Sequence, residues 1–225
     1  MNQTSLRHRL YPEFARVGAA LASDRRLELI DLLAQAPRNV EALARETGMS
    51  VASVSQHLQT LRNAKLVEAE RTGNKTLYRL ADELVLRLWL TLRAVGERRL
   101  PEVDQILRLH QADGTKVALG RDELQTLIEA GTVVLIDVRP RLEYDHGHLS
   151  GAISIPLAEL LDRLQELPRD RRIVTYCRGI YCEMSGDAEV LLREEGYDVT
   201  RLEGGWPEWQ DEGRPVSMDR TSPLE

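Results

Sequence analysis

Apolar positions recur at helical spacing through the first half of the chain and gather into strand-type runs in the second. Over residues 24–36, Leu27, Ile30, Leu33 and Ala34 share one face, with Ser23 placed to cap the helix and Pro37 to stop it. Residues 40–47 predict a short second helix with Val40, Leu43 and Ala44 inward, and Gly48 suits the turn that follows because it adopts positive φ without steric cost. Ser50 can cap a third helix over 51–64, whose apolar face is Val51, Val54, Leu58 and Leu61. Alternation over 66–71 and 76–80 flanks Thr72-Gly73-Asn74-Lys75 and predicts a β-hairpin. Helical spacing resumes over 82–100 with Val85, Leu88, Trp89, Leu92 and Val95 in line, and Pro101 ends it. Residues 101–116 read as a mixed helical and polar connector, with a linker around Leu109–Gly114.

Beyond the connector, strands and helices alternate. Residues 133–138, 173–176 and 198–202 are strand-type runs, and 121–130, 157–166 and 184–195 are helical stretches between them. Such alternation predicts an α/β domain with a mainly parallel sheet. The expected organisation is therefore a mainly α unit over 1–100, a linker over 101–116, an α/β unit over 117–215 and a tail over 216–225.

The chain has 225 residues, of which 42% are hydrophobic and 29% charged, enough to fill real cores and too much for a disordered chain. No apolar stretch approaches the roughly 18 residues of a membrane span. The N-terminal MNQTSLRHRLYPEF lacks the apolar segment of a secretory leader, so a cytoplasmic location is expected. Charge is unevenly divided. Residues 1–100 carry 16 Lys+Arg against 11 Asp+Glu, net +5, whereas residues 101–225 carry 14 against 25, net −11. A polyanion would suit the first half and be repelled by the second.

A helix, a glycine turn, a second helix and a basic hairpin form the layout of a winged helix-turn-helix. On the helix over 51–64, the side away from the core presents Ser53, Ser55, Gln56 and Gln59, with His57 at its flank: short polar groups of the kind that read base edges. Arg62 and Lys65 stand further along for phosphate, and Arg71, Asn74 and Lys75 lie at the hairpin tip for backbone or minor-groove contact. The same residues also suit a merely solvated helix face. The segment SVASVSQHLQTLRNAKLVEAERTGNKTLYRL resembles the recognition helix and wing of the ArsR/SmtB family of bacterial repressors, over roughly residues 10–100. The resemblance implies double-stranded DNA with a two-fold-symmetric site as partner, and a homodimer built from the first and last helices of the unit. Metal sensors of that family use cysteines on the helix before the turn; here that helix reads VEALARE, so neither metal nor other cofactor is expected.

Both cysteines lie in one short segment, Tyr176-Cys177-Arg178-Gly179-Ile180-Tyr181-Cys182-Glu183, entered by a strand pattern and left by a helical one. Two thiols are too few for a disulfide scaffold or a four-thiolate zinc site. A thiol in such a loop can be ringed by main-chain N–H groups that stabilise a thiolate or a bound anion. Asp137-Val138-Arg139, Glu143, Gly147-His148-Leu149-Ser150-Gly151-Ala152-Ile153, Cys177 and Leu202-Glu203-Gly204-Gly205-Trp206 follow in the order of a rhodanese domain, and residues 117–215 resemble that family. The resemblance implies that Cys177 takes a sulfane sulfur as a persulfide, within a cradle formed by the backbone of 178–182, including Gly179, Ile180 and Tyr181. Arg178 adds positive charge, and Asp137, Arg139, Glu143 and His148 support the fold around the loop. Many rhodanese loops carry an arginine five residues after the cysteine, where this chain has Cys182, a second thiol able to resolve or bridge a persulfide. Related phosphatases carry an arginine six residues after theirs, where this chain has Glu183, which excludes that chemistry.

Three functions stand open at this level. One is a DNA-binding transcriptional repressor responsive to reactive sulfur or redox state, with thiosulfate, a persulfide or a polysulfide as sulfur donor. The second is a sulfurtransferase whose N-terminal domain serves localisation or dimerisation. The third is a constitutive DNA binder with an inert rhodanese-like scaffold. The reading face makes a separable prediction. Gln56→Ala relaxes base preference and Lys75→Ala weakens all sequences alike while lowering the salt dependence of binding, as measured by fluorescence anisotropy on matched and scrambled duplexes at several salt concentrations. A Gln56→Ala protein with unchanged affinity and preference overturns the assignment of that face.

Overall fold

The computed structural model describes residues 5–111 and 118–218, the side chains of His110 and Gln111 excepted. The chain divides into two compact units, Met1–Arg93 and Ala94–Glu225.

In the first unit, α1 (Leu6–Leu21), α2 (Asp24–Leu33), α3 (Val40–Thr47) and α4 (Val51–Asn63) precede the hairpin of β1 (Val67–Thr72) and β2 (Lys75–Leu80), and α5 (Glu83–Arg99) follows it, its residues 94–99 counting with the second unit. This is a winged helix-turn-helix. Its core joins Leu29, Ile30 and Leu33 of α2 to Leu43 of α3, Val54, Leu58 and Leu61 of α4, and Val85 of α5. The helix-turn-helix is punctuated as its residues require. Asn39 Oδ1 accepts from Ala42 N–H at 2.8 Å, Ser50 Oγ accepts from Ser53 N–H at 3.1 Å, and Gly48 closes α3 at φ 67°. Arg38 adds a buried fastening. Its guanidinium donates to the Leu32 and Ala36 carbonyls and to Glu46, while its backbone pairs with Tyr78 of the wing. Trp89 Nε1 donates to Asp31 at 2.9 Å and ties α5 to α2.

The chain departs from the sequence expectations at several points. Helix α2 stops at Leu33, not residue 36, because the ring of Pro37 excludes the carbonyl four residues before it from a continuing helix. Ser23 occupies the N-cap position with no side-chain bond to the helix. Val51 is 48% exposed instead of joining the core. The wing turns on Gly73-Asn74 alone, with Thr72 paired to Lys75. Residues 101–111, read as a mixed connector, are helical, so the first half of the linker expected over 109–114 is helix, while 112–114 lie outside the described residues. The helix α1 was not anticipated, since Pro12 within it reads as a breaker and it buries only Ala20.

The second unit opens with α6 (Pro101–Gln111) and α7 (Arg121–Glu129). It continues through β3 (Val133–Asp137), α8 (Arg141–His146), β4 (His148–Leu149), β5 (Ile153–Ser154), β6 (Arg172–Cys177), α9 (Met184–Glu194), β7 (Val199–Gly205), α10 (Trp206–Asp211) and β8 (Val216–Ser217). Four parallel strands order as β5-β3-β6-β7, and β4 pairs antiparallel with β8, so residues 216–217, expected in the tail, are a strand. Alternate residues feed opposite faces: Val134, Ile136 and Ile173 join one core cluster, and Leu135, Val174 and Tyr176 the other. The helix expected over 157–166 is instead two 3₁₀ turns, Leu157–Glu159 and Leu161–Glu166, matching the three-residue steps from Leu157 to Leu160 and Leu164 to Leu167.

Strand order fixes where chemistry belongs. The chain leaves β3 toward one edge and β6 toward the other, so the switch point of the sheet lies at the carboxyl ends of these two neighbours, where Asp137 and Cys177 stand.

The helix-turn-helix core has a direct test. Leu58→Ala, at a fully buried position, lowers unfolding stability by about 2–5 kcal/mol, whereas Val51→Ala stays within about 0.5 kcal/mol, as read by urea unfolding.

Candidate functional site: a cysteine loop and a reading helix

Helix α4 buries Val54, Leu58 and Leu61 and turns Ser55, Gln56, Gln59 and Arg62 outward, with Ser53 and His57 half-buried at the margins. Gln59 Nε2 donates to Asn63 at 2.7 Å along the same helix. Lys65, Arg71, Asn74 and Lys75 are exposed. The described residues thus bring the expected reading face and wing tip to the surface of one unit.

In the second unit the loop after β6 begins at Cys177, which pairs with Gly205 of β7. The approach is so close that a Cβ on Gly205 would stand 2.3 Å from the Cys177 carbonyl oxygen and 2.4 Å from the Gly179 nitrogen, so only glycine fits beneath the loop. Beyond Cys177, the Cys182 amide donates to the Gly179 carbonyl at 3.1 Å and closes a turn. Arg178 leaves the loop sideways, its Nε and Nη2 meeting the fully buried carboxylate of Glu143 at 2.9 and 2.5 Å. That ion pair clamps the loop to α8.

A second buried network stands under the loop. Asp137 accepts from the Arg139 guanidinium and backbone and from Tyr176 Oη at 2.6 Å, and Arg139 Nη2 donates to the Gly147 carbonyl. Burial and the Asp137 charge hold the Tyr176 phenol protonated, as its donor role requires. His148 stacks on Tyr144 at 3.7 Å, with Nδ1 against the Tyr144 carbonyl.

Cys177 and Cys182 are free thiols. Cys177 is fully buried in the core cluster of Val134, Ile136 and Ala188, while Cys182 is half-buried and lines a cavity of about 380 Å³ with Gly179, Ser185 and Arg201. As a thiol, Cys177 Sγ lies 3.5 Å from the Cys182 carbonyl and 3.3 Å from Ser185 Oγ. Burial pushes its pKa up, but hydrogen bonds to the thiolate from the Cys182 thiol, the Ser185 hydroxyl and the Gly179 and Ser185 amides outweigh it, lowering the pKa to about 7. Cys182 moves the other way: its hydrogen bond to Cys177, and then burial, keep it protonated. The site is a hydrogen-bonded thiol pair at the N-terminus of α9, in which the inner sulfur is the more readily ionised.

Residues 120–212 match the rhodanese-like domain family, and residues 23–69 match the family described as bacterial regulatory protein, arsR family. Across 95% of its length the chain is 46% identical to the HTH-type transcriptional regulator Rv0324 of Mycobacterium tuberculosis, covering 94% of that protein. The chain belongs to the ArsR family of bacterial regulators and carries a rhodanese-like domain. Over 93 residues, 41% of the chain, it is 33% identical to a protein named sulfurtransferase from Allochromatium vinosum and covers 85% of it. The solution structure of a homodimeric winged helix-turn-helix DNA-binding domain from Mycobacterium bovis, a possible ArsR-family regulator, is 44% identical over 44% of the chain and 93% of that domain, with a TM-score of 0.42.

In this ArsR-family regulator the two cysteines share a hydrogen bond, which their spacing alone left open, and Arg178 is bound to Glu143. The amides that reach the Cys177 sulfur are those of Gly179 and Ser185, whereas the Cys182 amide is engaged within the loop. Sequence reasoning missed Ser185, which supplies both hydroxyl and amide; its only signal was a small hydroxyl residue in the first turn of the helix after the loop. It also missed Gly205 as a steric requirement, although the Gly204-Gly205 pair was visible. Among the described residues no group of three His, Cys, Asp or Glu side chains could hold a metal ion, and no helix is long and apolar enough to cross a membrane.

Removing the Ser185 hydroxyl takes away one donor to a buried charge. Ser185→Ala therefore raises the Cys177 pKa by about one unit, reflecting a hydrogen bond to charge of about 1.5 kcal/mol. The shift is read from the pH profile of iodoacetamide labelling at Cys177, followed by peptide mass spectrometry.

Proposed function

We propose that this regulator is a cytoplasmic, homodimeric repressor whose hold on DNA answers to reactive sulfur through Cys177 and Cys182. The observation that carries the reading is the thiol pair itself: a buried sulfur 3.3 Å from Ser185 Oγ, its pKa lowered to about 7, hydrogen-bonded to a second thiol that stays protonated. The domain limits that go with it are a DNA-binding and dimerisation unit over 1–100, a linker over 101–116, a rhodanese-like unit over 117–215 and a tail over 216–225.

The chemistry balances in two steps. The Cys177 thiolate attacks the outer sulfur of a donor R–S–SH; a Cys177 S–S bond forms, the donor S–S bond breaks, and RS⁻ leaves with the electron pair and takes up a proton. Cys182, once deprotonated, attacks the Cys177 sulfur of the resulting persulfide, closing a disulfide and releasing HS⁻. Sulfane sulfur is reduced to sulfide as the two thiols are oxidised. Gly179, Ile180 and Tyr181 lie between the cysteines and are reshaped by that closure, while Arg178 acts as a positioning residue through Glu143. Closure of the loop biases the dimer between DNA-bound and released states, and a tenfold change in occupancy needs only about 1.4 kcal/mol.

Dimerisation is supported by apolar side chains left uncovered on two helices: Leu6, Leu10, Tyr11 and Phe14 on α1, and Leu88 and Leu92 on α5. A two-fold dimer reads half-sites about one helical turn apart through Ser53, Ser55, Gln56, His57 and Gln59, with Arg62, Arg71, Asn74 and Lys75 on the backbone or minor groove. A second reading, sulfurtransferase turnover, is favoured by the same lowered Cys177 pKa. It predicts steady thiocyanate release from thiosulfate and cyanide, lost in Cys177→Ala and retained in Cys182→Ser.

Electrophoretic mobility shifts on the protein's own upstream region, with and without inorganic polysulfide, separate the two. The regulatory reading predicts at least tenfold altered affinity in wild type and none in Cys177→Ser. Unchanged affinity with Cys177 demonstrably modified contradicts it.

A further inference from the structure

The cavity beside the cysteine loop is unusually acidic for a site meant to receive sulfur from anions. Its lining includes the exposed residues Glu183, Asp187 and Glu203, with Arg201 as the basic residue among them; Arg121, which donates to the Glu203 carbonyl beside the lining, is paired with Glu212. That guanidinium passes over the first turn of α9, its Nη1 3.3 Å from where a Cβ on Gly186 would stand. Arg178 offers no counterweight, being bound to Glu143. The positive end of α9 is already spent, since the Ser185 amide points at Cys177 sulfur and the Met184 amide at Cys182 sulfur. The cavity reaches Cys182 and the buried Ser185, which is bonded to Cys177, so a donor approaching the thiol pair this way passes the carboxylates first.

We propose that this cavity selects sulfur donors by charge, accepting neutral or cationic low-mass persulfides and disfavouring thiosulfate and other anionic donors. The proposal rests on the sulfur-responsive reading and specifies its donor class. With Arg121 paired to Glu212 and Arg178 to Glu143, the lining's three acidic residues outnumber its one basic residue, and an excess of one sign of charge around a cleft enriches or depletes charged small molecules by about tenfold or more at low ionic strength. The transfer is the one written above, with RS⁻ leaving from a persulfide; from thiosulfate the S–S bond breaks and sulfite leaves with the electron pair. A donor whose R carries an ammonium brings its own positive charge to the carboxylate rim, whereas thiosulfate brings two negative charges and finds no free guanidinium.

The test uses the full-length protein with three separate donors: cysteamine persulfide, glutathione persulfide and thiosulfate. The rate of Cys177 persulfidation is followed by mass spectrometry at low and high salt. At low salt, cysteamine persulfide is expected to react about tenfold faster than glutathione persulfide, with thiosulfate slowest. High salt narrows the gap between the two persulfides, and so does the double variant Asp187→Asn, Glu203→Gln at low salt. A ratio indifferent to both salt and the charge-removing variant, or one favouring the anionic donors, overturns the charge selection while leaving the sulfur reading standing. Failure of all three donors to modify Cys177 overturns the sulfur reading and this inference with it.

Discussion

A sulfur anion with no solvent contact persists only where the protein supplies the donors that water would have supplied. The segment from Cys177 to Ser185 is organised around that demand. Two amides, one hydroxyl and one thiol converge on Cys177 and outweigh a burial that alone would raise its pKa. They converge because the loop is held from two sides. The Arg178–Glu143 ion pair clamps it to α8, and Gly205 allows β7 to run against its backbone at a distance no side chain would permit. The Asp137–Arg139–Tyr176 network beneath keeps the ends of β3 and β6 in register at the switch point of the sheet.

Hydrogen bonding between the cysteines makes them one titrating unit. The proton that leaves Cys177 is partly replaced by the one that Cys182 donates, which is why the two pKa values move apart. It also puts the second sulfur beside the first, as bridging after persulfidation requires. The same device that ionises the inner thiol therefore prepares its closure.

Much of this was legible in the sequence, and the rest was hidden for identifiable reasons. The helix-turn-helix followed from periodicity and caps because α3 and α4 obey local rules: Asn39, Gly48 and Ser50 each act on their own helix end. The parallel strands followed from β-rich runs between helical stretches. The helix α1 was hidden by Pro12 and by an apolar face that its own chain leaves uncovered. The 3₁₀ turns of 157–166 were hidden because leucine at three- and four-residue steps suits either helix type. At the site, the cysteines declared themselves, but Arg178 drew attention as an anion-binding charge when its fate depends on Glu143, 35 residues earlier. Ser185 and Gly205 matter through contacts made only when β6, α9 and β7 are assembled, which no local pattern encodes.

The central claim is that Cys177 carries a negative charge inside the folded regulator near neutral pH. Thiolate ultraviolet absorbance, followed against pH in the intact protein, tests it without a chemical probe that must enter the core. The account predicts an absorbance step of one thiolate with its midpoint near pH 7, absent from Cys177→Ser. No step until the pH of an ordinary thiol, about 8.5 or above, or a step that survives in Cys177→Ser, would contradict it.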